Sequence, residues 1–314
     1  MRVLTEVIWP PEFLAAARNA AQSATEELGG GASAFSRHTR RWLSAHCDLS
    51  QPEKYFLHSQ SLAVLGFPWW LEESLCGAAD LVFQADLMFS TINAYYFTRM
   101  LDDIMDGHAI ERPAMPALYP FHMRFVRPYQ KHFEHGSPFW GEFERILNIT
   151  VEAVSGEAAL EEVSAEDFLR FSARKQIAAA IPMAAVCVHN NRLDMLATWE
   201  NMLAAFARWH QMRDDIMDWS LDHQAGQPTW LLTEADRRRD HGESVATWMG
   251  REGFRWAKSV MDGWIGETQE AAGELNSEPL ISYLEHRNEL FSDQIDKMIA
   301  TADAFAGLLV MDKS

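Results

Sequence analysis

Apolar residues recur every three to four positions along almost the whole chain, the period of a helix with one buried face. No stretch alternates apolar and polar residues as a strand would. Breaks in the pattern divide it into helices. Pro10 and Pro11 open a first helix over 11–28, which Gly29, Gly30 and Gly31 end. A second runs over 34–46 and carries His38, Arg40 and Arg41. Pro52 precedes a third over 55–65, and Gly66-Phe67-Pro68 breaks the chain. The longest helical stretch covers 69–107, with Gly77 as a point of interruption. Three prolines make 108–120 a loop. Helices follow over 121–135 and 138–160, separated by Gly136-Ser137. Ser164-Ala165-Glu166-Asp167 has the form of a capping box, and its helix reaches 189 with a kink expected at Pro182. Asn190-Asn191 leads into the next helix, a loop takes 223–229, and helices follow over 230–239, 243–270 and 278–309. No linker is rich enough in Pro, Gly or Ser to divide domains. The pattern predicts one all-α domain over 1–314.

Charge narrows the function. The chain holds 45 acidic against 27 basic side chains, a formal charge of −18. That balance offers no basic stripe for nucleic acid and no electrostatic hold on an anionic membrane. An anionic substrate would need bridging cations. Cys47, Cys76 and Cys187 lie far apart without a CxxC, and the histidines make no HExxH. A zinc site and a disulfide framework are therefore not expected, and a reducing compartment is. Residues 1–10 contain Glu6 and lack a basic stretch followed by an apolar core, so no signal peptide is expected. No run of eighteen apolar residues would span a membrane, and the expected location is the cytoplasm.

Two helices end in carboxylates. The aromatic stretch from Tyr95 runs into Asp102-Asp103-Ile104-Met105-Asp106. Asp102 and Asp106 share a helical face at i and i+4, and Asp103 flanks it. Like charges one turn apart repel, and a divalent cation would remove the conflict. Hard carboxylate oxygens suit Mg²⁺, which takes one or two carboxylates and fills its other positions with water or phosphate oxygens. The same letters return at Asp214-Asp215-Ile216-Met217-Asp218, 214 − 102 = 112 residues later, again after an apolar run at 203–209. Neither cluster has the spacing of an EF-hand loop. Two such helices facing each other would form a metal-lined mouth over an apolar cavity.

The paired DDxxD clusters in a helical chain of this length resemble those of the trans-isoprenyl diphosphate synthases and the related class I terpene synthases. Lys175-Gln176 is similar to that family's Lys-(Thr/Gln) pair. Gln211 matches its Phe-Gln-x-x-Asp-Asp, with His210 in place of Phe. The segment from Asp222 to Thr229 is similar to its Asp…Gly-Lys-x-Thr, with Gln227 where Lys is usual. The resemblance implies an antiparallel helical bundle around a deep apolar cavity, and a homodimer. It implies that Asp102, Asp106 and Asp214 hold three Mg²⁺ ions on the diphosphate of an allylic substrate. Asp103, Asp215 and Asp218 would act directly or through water, Asp218 as a further metal ligand. Arg112, Lys175 and Gln211 would bind the departing pyrophosphate. Phe97, Thr98 and Tyr95 would line the cavity, with bulky Phe97 favouring a shorter substrate; ordinary helix packing explains Phe97 and Thr98 equally well.

Departures from the family bear on the reaction. Elongating synthases bind a second substrate, isopentenyl diphosphate, through an early Gly-Lys-x-x-Arg and through an Arg-Arg-Gly after the first cluster. Here Glu111 takes one of those arginine positions, and Arg112 remains. Counting back from Asp102 places the early motif at Gly66-Phe67-Pro68-Trp69-Trp70, which offers no cation; Arg40-Arg41 could be a displaced substitute. The Asn-x-x-x-Ser-x-x-x-Glu motif of many bacterial cyclases is missing. The expectation is a Mg²⁺-dependent class I terpene synthase, a lyase that ionises an allylic diphosphate and cyclises it or eliminates a proton. The alternative is a trans-prenyltransferase that elongates with isopentenyl diphosphate or prenylates another acceptor. A non-catalytic subunit is a third reading. Of the twelve tryptophans most are expected in the core. Tyr283, His286 and Arg287 could close over the diphosphate, or simply belong to an exposed amphipathic helix.

Overall fold

The computed structural model describes residues 9–29, 31–105, 107 and 110–311, and every regular element among them is helical. In chain order these are α1 (Pro11–Gly29), α2 (Ala34–His46), α3 (Glu53–Phe56), α4 (Gly66–Cys76), α5 (Leu81–Met105), α6 (Leu118–His132) and α7 (Pro138–Glu157). They continue with α8 (Ala165–Gln176), α9 (Ala180–His189), α10 (Leu196–Ala225), α11 (Trp230–Arg238), α12 (Val245–Trp248), α13 (Phe254–Gly273) and α14 (Glu278–Met311). Among the described residues no helix is long and apolar enough to cross a membrane.

Several boundaries differ from the sequence pattern for local reasons. The helix expected over 55–65 is one turn long. Beyond it Ser61 Oγ donates to the Tyr55 carbonyl at 2.8 Å and Gln60 N–H to His58 Nδ1 at 3.2 Å. Such side-chain bonds compete with helical ones. Gly66-Phe67-Pro68 does not break the chain but starts α4. Pro68 lies in its first turn, where no N–H is required. Gly77, at φ +78°, ends α4 in the left-handed region, and Asp80 Oδ1 accepts from Val82 and Phe83 N–H to start α5. The loop after the first cluster contains a 3-10 turn, Arg112–Ala117. The capping box at Ser164 forms as expected. The distortion expected at Pro182 falls earlier, as a 3-10 turn at Ile177–Ala179. A proline ring clashes with the carbonyl four residues before it, so the chain tightens there. The stretch expected over 243–270 is interrupted by a π-helical turn, Met249–Gly253.

The chain forms two compact units. The first comprises Met1–Phe143 and Pro182–Asp194. In it α5 packs against α1 and α6, and α2 packs against α1 and the Arg112–Ala117 turn. Trp9 stacks on Phe13 at 4.3 Å and on Trp70 at 4.9 Å, while Trp42, Tyr96 and Phe121 form a second aromatic group. The second unit comprises Glu144–Ile181 and Met195–Ser314. Here α10 packs against α8, α11 and α13, and α13 against α14. Trp199, Leu203, Phe206 and Trp209 of α10 are fully buried. Most of the twelve tryptophans are core as expected, Trp69, Trp70, Trp209 and Trp230 among them.

Candidate active site

The end of α5 separates two adjacent carboxylates. Asp102 is exposed and Asp103 is buried. Trp42 Nε1 donates to Asp103 Oδ2 at 3.0 Å, His46 Nε2 approaches the same oxygen at 3.1 Å, and Arg99 Nη2 meets Oδ1 at 3.0 Å. Asp103 therefore ties α5 to α2 and leaves Asp102 on the outward face. Asp106 lies outside the described residues. Beyond the cluster, Glu111 accepts from His38 Nδ1 and from Arg41 Nη1, the latter at 2.6 Å. These two partners hold the Glu111 carboxyl below its ordinary range. A helix with Arg37, His38, Arg40 and Arg41 in its first eight residues thus reaches the segment just after the first cluster. The apolar segment from Gly66 to Trp70 is buried throughout. A Cβ on Gly66 would lie 2.5 Å from the Trp9 ring, so this segment serves the core.

Of the residues expected to line the cavity, Phe97 and Tyr95 are half-buried and Thr98 is exposed. Thr98 Oγ1 bonds back to the carbonyls of Ala94 and Tyr95, and the Tyr95 hydroxyl donates to that of Tyr55. Phe97 and Arg112 border an open cleft of about 660 Å³ in the first unit, together with Met115, Tyr119 and His122.

In the second unit, α10 carries the second cluster. Asp214 is partly exposed and its Oδ1 accepts from Arg213 Nη1 at 2.7 Å; burial nevertheless pushes its pKa up. Asp215 is buried, and Gln211 Nε2 donates to its Oδ1 at 2.9 Å. Burial pushes Asp215 up to about 7. Asp218 is exposed. Asp222, one turn further, is pushed up to about 6 by burial and then by the charge of Asp218. Lys175 comes from α8, pairs with Glu157 at 2.5 Å, and its charge acts on both Asp214 and Asp215. The fold thus brings together Lys175, Gln211, Asp214 and Asp215 from distant stretches of sequence. Gln211 holds Asp215, and Thr229 caps α11.

The sequence reading passed over Arg213, whose signal is only its place between Gln211 and Asp214. It left Arg287 between two roles. The structure buries Arg287 on α14, with its guanidinium 5.5 Å from the Trp209 ring.

Asp214, Asp218 and Asp222 lie at i, i+4 and i+8 of one helix. Burial first and then the charge of Asp218 raise Asp222, and a hard divalent cation would relieve the like-charge part. Among the described residues no three metal-binding side chains converge into a ready cage. This donor set fits Mg²⁺, which keeps water or phosphate oxygens in most of its positions.

Comparison with solved structures places the fold. The geranylgeranyl pyrophosphate synthetase from the archaeon Geoglobus acetivorans superposes with a TM-score of 0.62 at 16% identity, over 92% of this chain and 97% of that one. The chain has the fold of an isoprenyl diphosphate synthase. The polyprenyl synthetase from Streptomyces coelicolor A3(2) is similar over 93% of this chain and 98% of its own, at 17% identity and a TM-score of 0.46. No protein-family model matches the chain, and no curated protein matches it. Within the synthase fold, the all-α class expected from the sequence is borne out.

Proposed function

We propose that the chain is an enzyme acting on isoprenyl diphosphates, and that prenyl transfer is its reaction. The observation that carries this is Lys175 beside Asp214 and Asp215 at the second cluster, in a chain with the fold of a geranylgeranyl pyrophosphate synthetase. Asp102, Asp106, Asp214 and Asp218 would hold Mg²⁺, which supplies positive charge to a departing diphosphate. Lys175 would add a fixed cation at the second cluster, and Arg112 one after the first. Asp103 and Asp215 orient their clusters from beneath, and Gln211 acts through Asp215. The allylic C–O bond breaks, the pyrophosphate leaves with the electron pair, and the double bond of the second substrate attacks the cation with loss of a proton. Aromatic residues of α5, Tyr95 and Phe97 among them, would border a dry cavity that keeps water from the cation. Binding of a second anion is supported by α2, which brings His38 and Arg41 to Glu111 in the segment that follows the first cluster.

A second reading is cyclisation or elimination without a second substrate. It is favoured by Glu111, which engages His38 and Arg41, and by the buried Gly66 to Trp70 segment. Incubation with Mg²⁺ and geranyl, farnesyl or geranylgeranyl diphosphate, each with and without isopentenyl diphosphate, separates the two. A longer diphosphate formed only with isopentenyl diphosphate is the expected product. A hydrocarbon or terpene alcohol formed without it would establish the second reading. No turnover of any of these, with no thermal shift from Mg²⁺ and pyrophosphate, would overturn both.

A further inference from the structure

Arg287 is 2% exposed, and a charge so placed requires compensation. Its guanidinium lies 5.9, 5.5 and 6.0 Å from the ring centroids of Phe206, Trp209 and Tyr283. Its Nη2 lies 3.2 Å from His210 Nδ1. A guanidinium has donors and no acceptor, so His210 Nδ1 must accept. An imidazole with an accepting Nδ1 carries its proton on Nε2. A ring whose Nδ1 accepts and whose Nε2 carries the one proton is neutral. The ring also stacks parallel to Phe206, at 6.1 Å and 7°. Turning it over would set Cδ2–H against the guanidinium. Nε2 points toward Asp214 Oδ2 at 3.9 Å, one helical turn along, while Arg213 holds Oδ1.

We propose that Arg287 fixes the His210 tautomer with Nε2–H toward Asp214, and that this pair positions the Asp214 carboxylate for the cation–diphosphate complex of the substrate. The positioning role rests on the Mg²⁺ reading of Asp214; the tautomer does not. His210 stands where the synthase motif has a phenylalanine, which could accept nothing from Arg287. Arg287 is a positioning residue, acting through His210 rather than on the substrate. Outer partners of this kind change metal affinity about 10- to 100-fold when removed.

Two measurements test this. Histidine-selective ¹⁵N labelling of the metal-free protein reads the His210 ring directly, with His210→Phe giving the assignment. The expected spectrum has a protonated Nε2 and an unprotonated Nδ1 in the wild type, and mixed tautomers in Arg287→Met. Thermal shift then follows Mg²⁺ titrated at fixed pyrophosphate. Arg287→Met and His210→Phe should each raise the half-saturating Mg²⁺ about tenfold, the double variant no further, and Arg287→Lys should recover part of the loss. If Arg287→Met does not fold, His210→Phe carries the titration, because it keeps the stacked ring. A wild-type ring protonated on Nδ1 overturns the proposal, as does a Mg²⁺ midpoint unmoved in His210→Phe. A wild-type protein that shows no response to Mg²⁺ and pyrophosphate removes the positioning role along with the functional reading, and the ring spectrum still decides whether Arg287 holds His210.

Discussion

Asp102 and Asp103 are neighbours in sequence and opposites in environment. Asp103 accepts from Trp42 Nε1 and pairs with Arg99, and removing its carboxylate takes away the acceptor of the buried Trp42 donor. Asp103→Ala should cost about 1–3 kcal/mol in urea unfolding, the range for leaving a buried donor unsatisfied. Asp102→Ala should leave stability within about 0.5 kcal/mol and abolish Mg²⁺-dependent turnover. Equal stability losses in both variants would contradict this division. Asp215 adds a dependence on pH. Its carboxyl, ordinarily near 3.8, is pushed up to about 7 by burial. Below about pH 4 the folded and unfolded chains both hold this proton. Between there and about pH 7 only the folded chain keeps it, so raising pH favours unfolding; above that both are ionised and the effect levels off. Relative to Asp215→Asn, which cannot ionise, the wild type should lose on the order of a few kcal/mol across that window. Unfolding curves of the two proteins at several pH values check the sign. A difference that is flat with pH would refute it.

At the scale of elements, α4 shows how a cation-poor segment finds its use. Gly66, Phe67, Pro68, Trp69 and Trp70 are all buried, and Gly66 lies where Trp9 leaves no room for a Cβ. Gly66→Ala should destabilise by about 1–3 kcal/mol through overpacking and leave the Mg²⁺ and pyrophosphate response intact. A loss of that response at unchanged stability would return the segment to substrate binding. The capping box at Ser164 and the interruption at Gly77 were legible because each rests on residues within one turn of each other. The early end of α3 was not, because it depends on side-chain bonds the apolar pattern does not display; Pro182 announced a distortion without giving its form, a 3-10 turn before the ring.

For the whole molecule, the fold class followed from periodicity, while assembly rests on resemblance. Tyr119 and Met123, i and i+4 on α6, are 77% and 69% exposed. Apolar side chains so placed fit an interface between copies of the chain. Sedimentation should show a dimer, and Met123→Glu should shift it toward monomer; a monomeric wild type would refute the expectation. By itself, the sequence determined the helical class, the spacing of the two aspartate clusters and the excess of acid that calls for bridging cations. These properties are written in periodicity and composition. Only the tertiary structure decided which carboxylates are buried and which face out, that the charge of Lys175 acts on Asp214 and Asp215, that Glu111 is met by α2, and that Arg287 lies against His210 rather than in solvent. Each of those depends on which face of a helix another helix covers. A helical repeat names the faces without naming their neighbours.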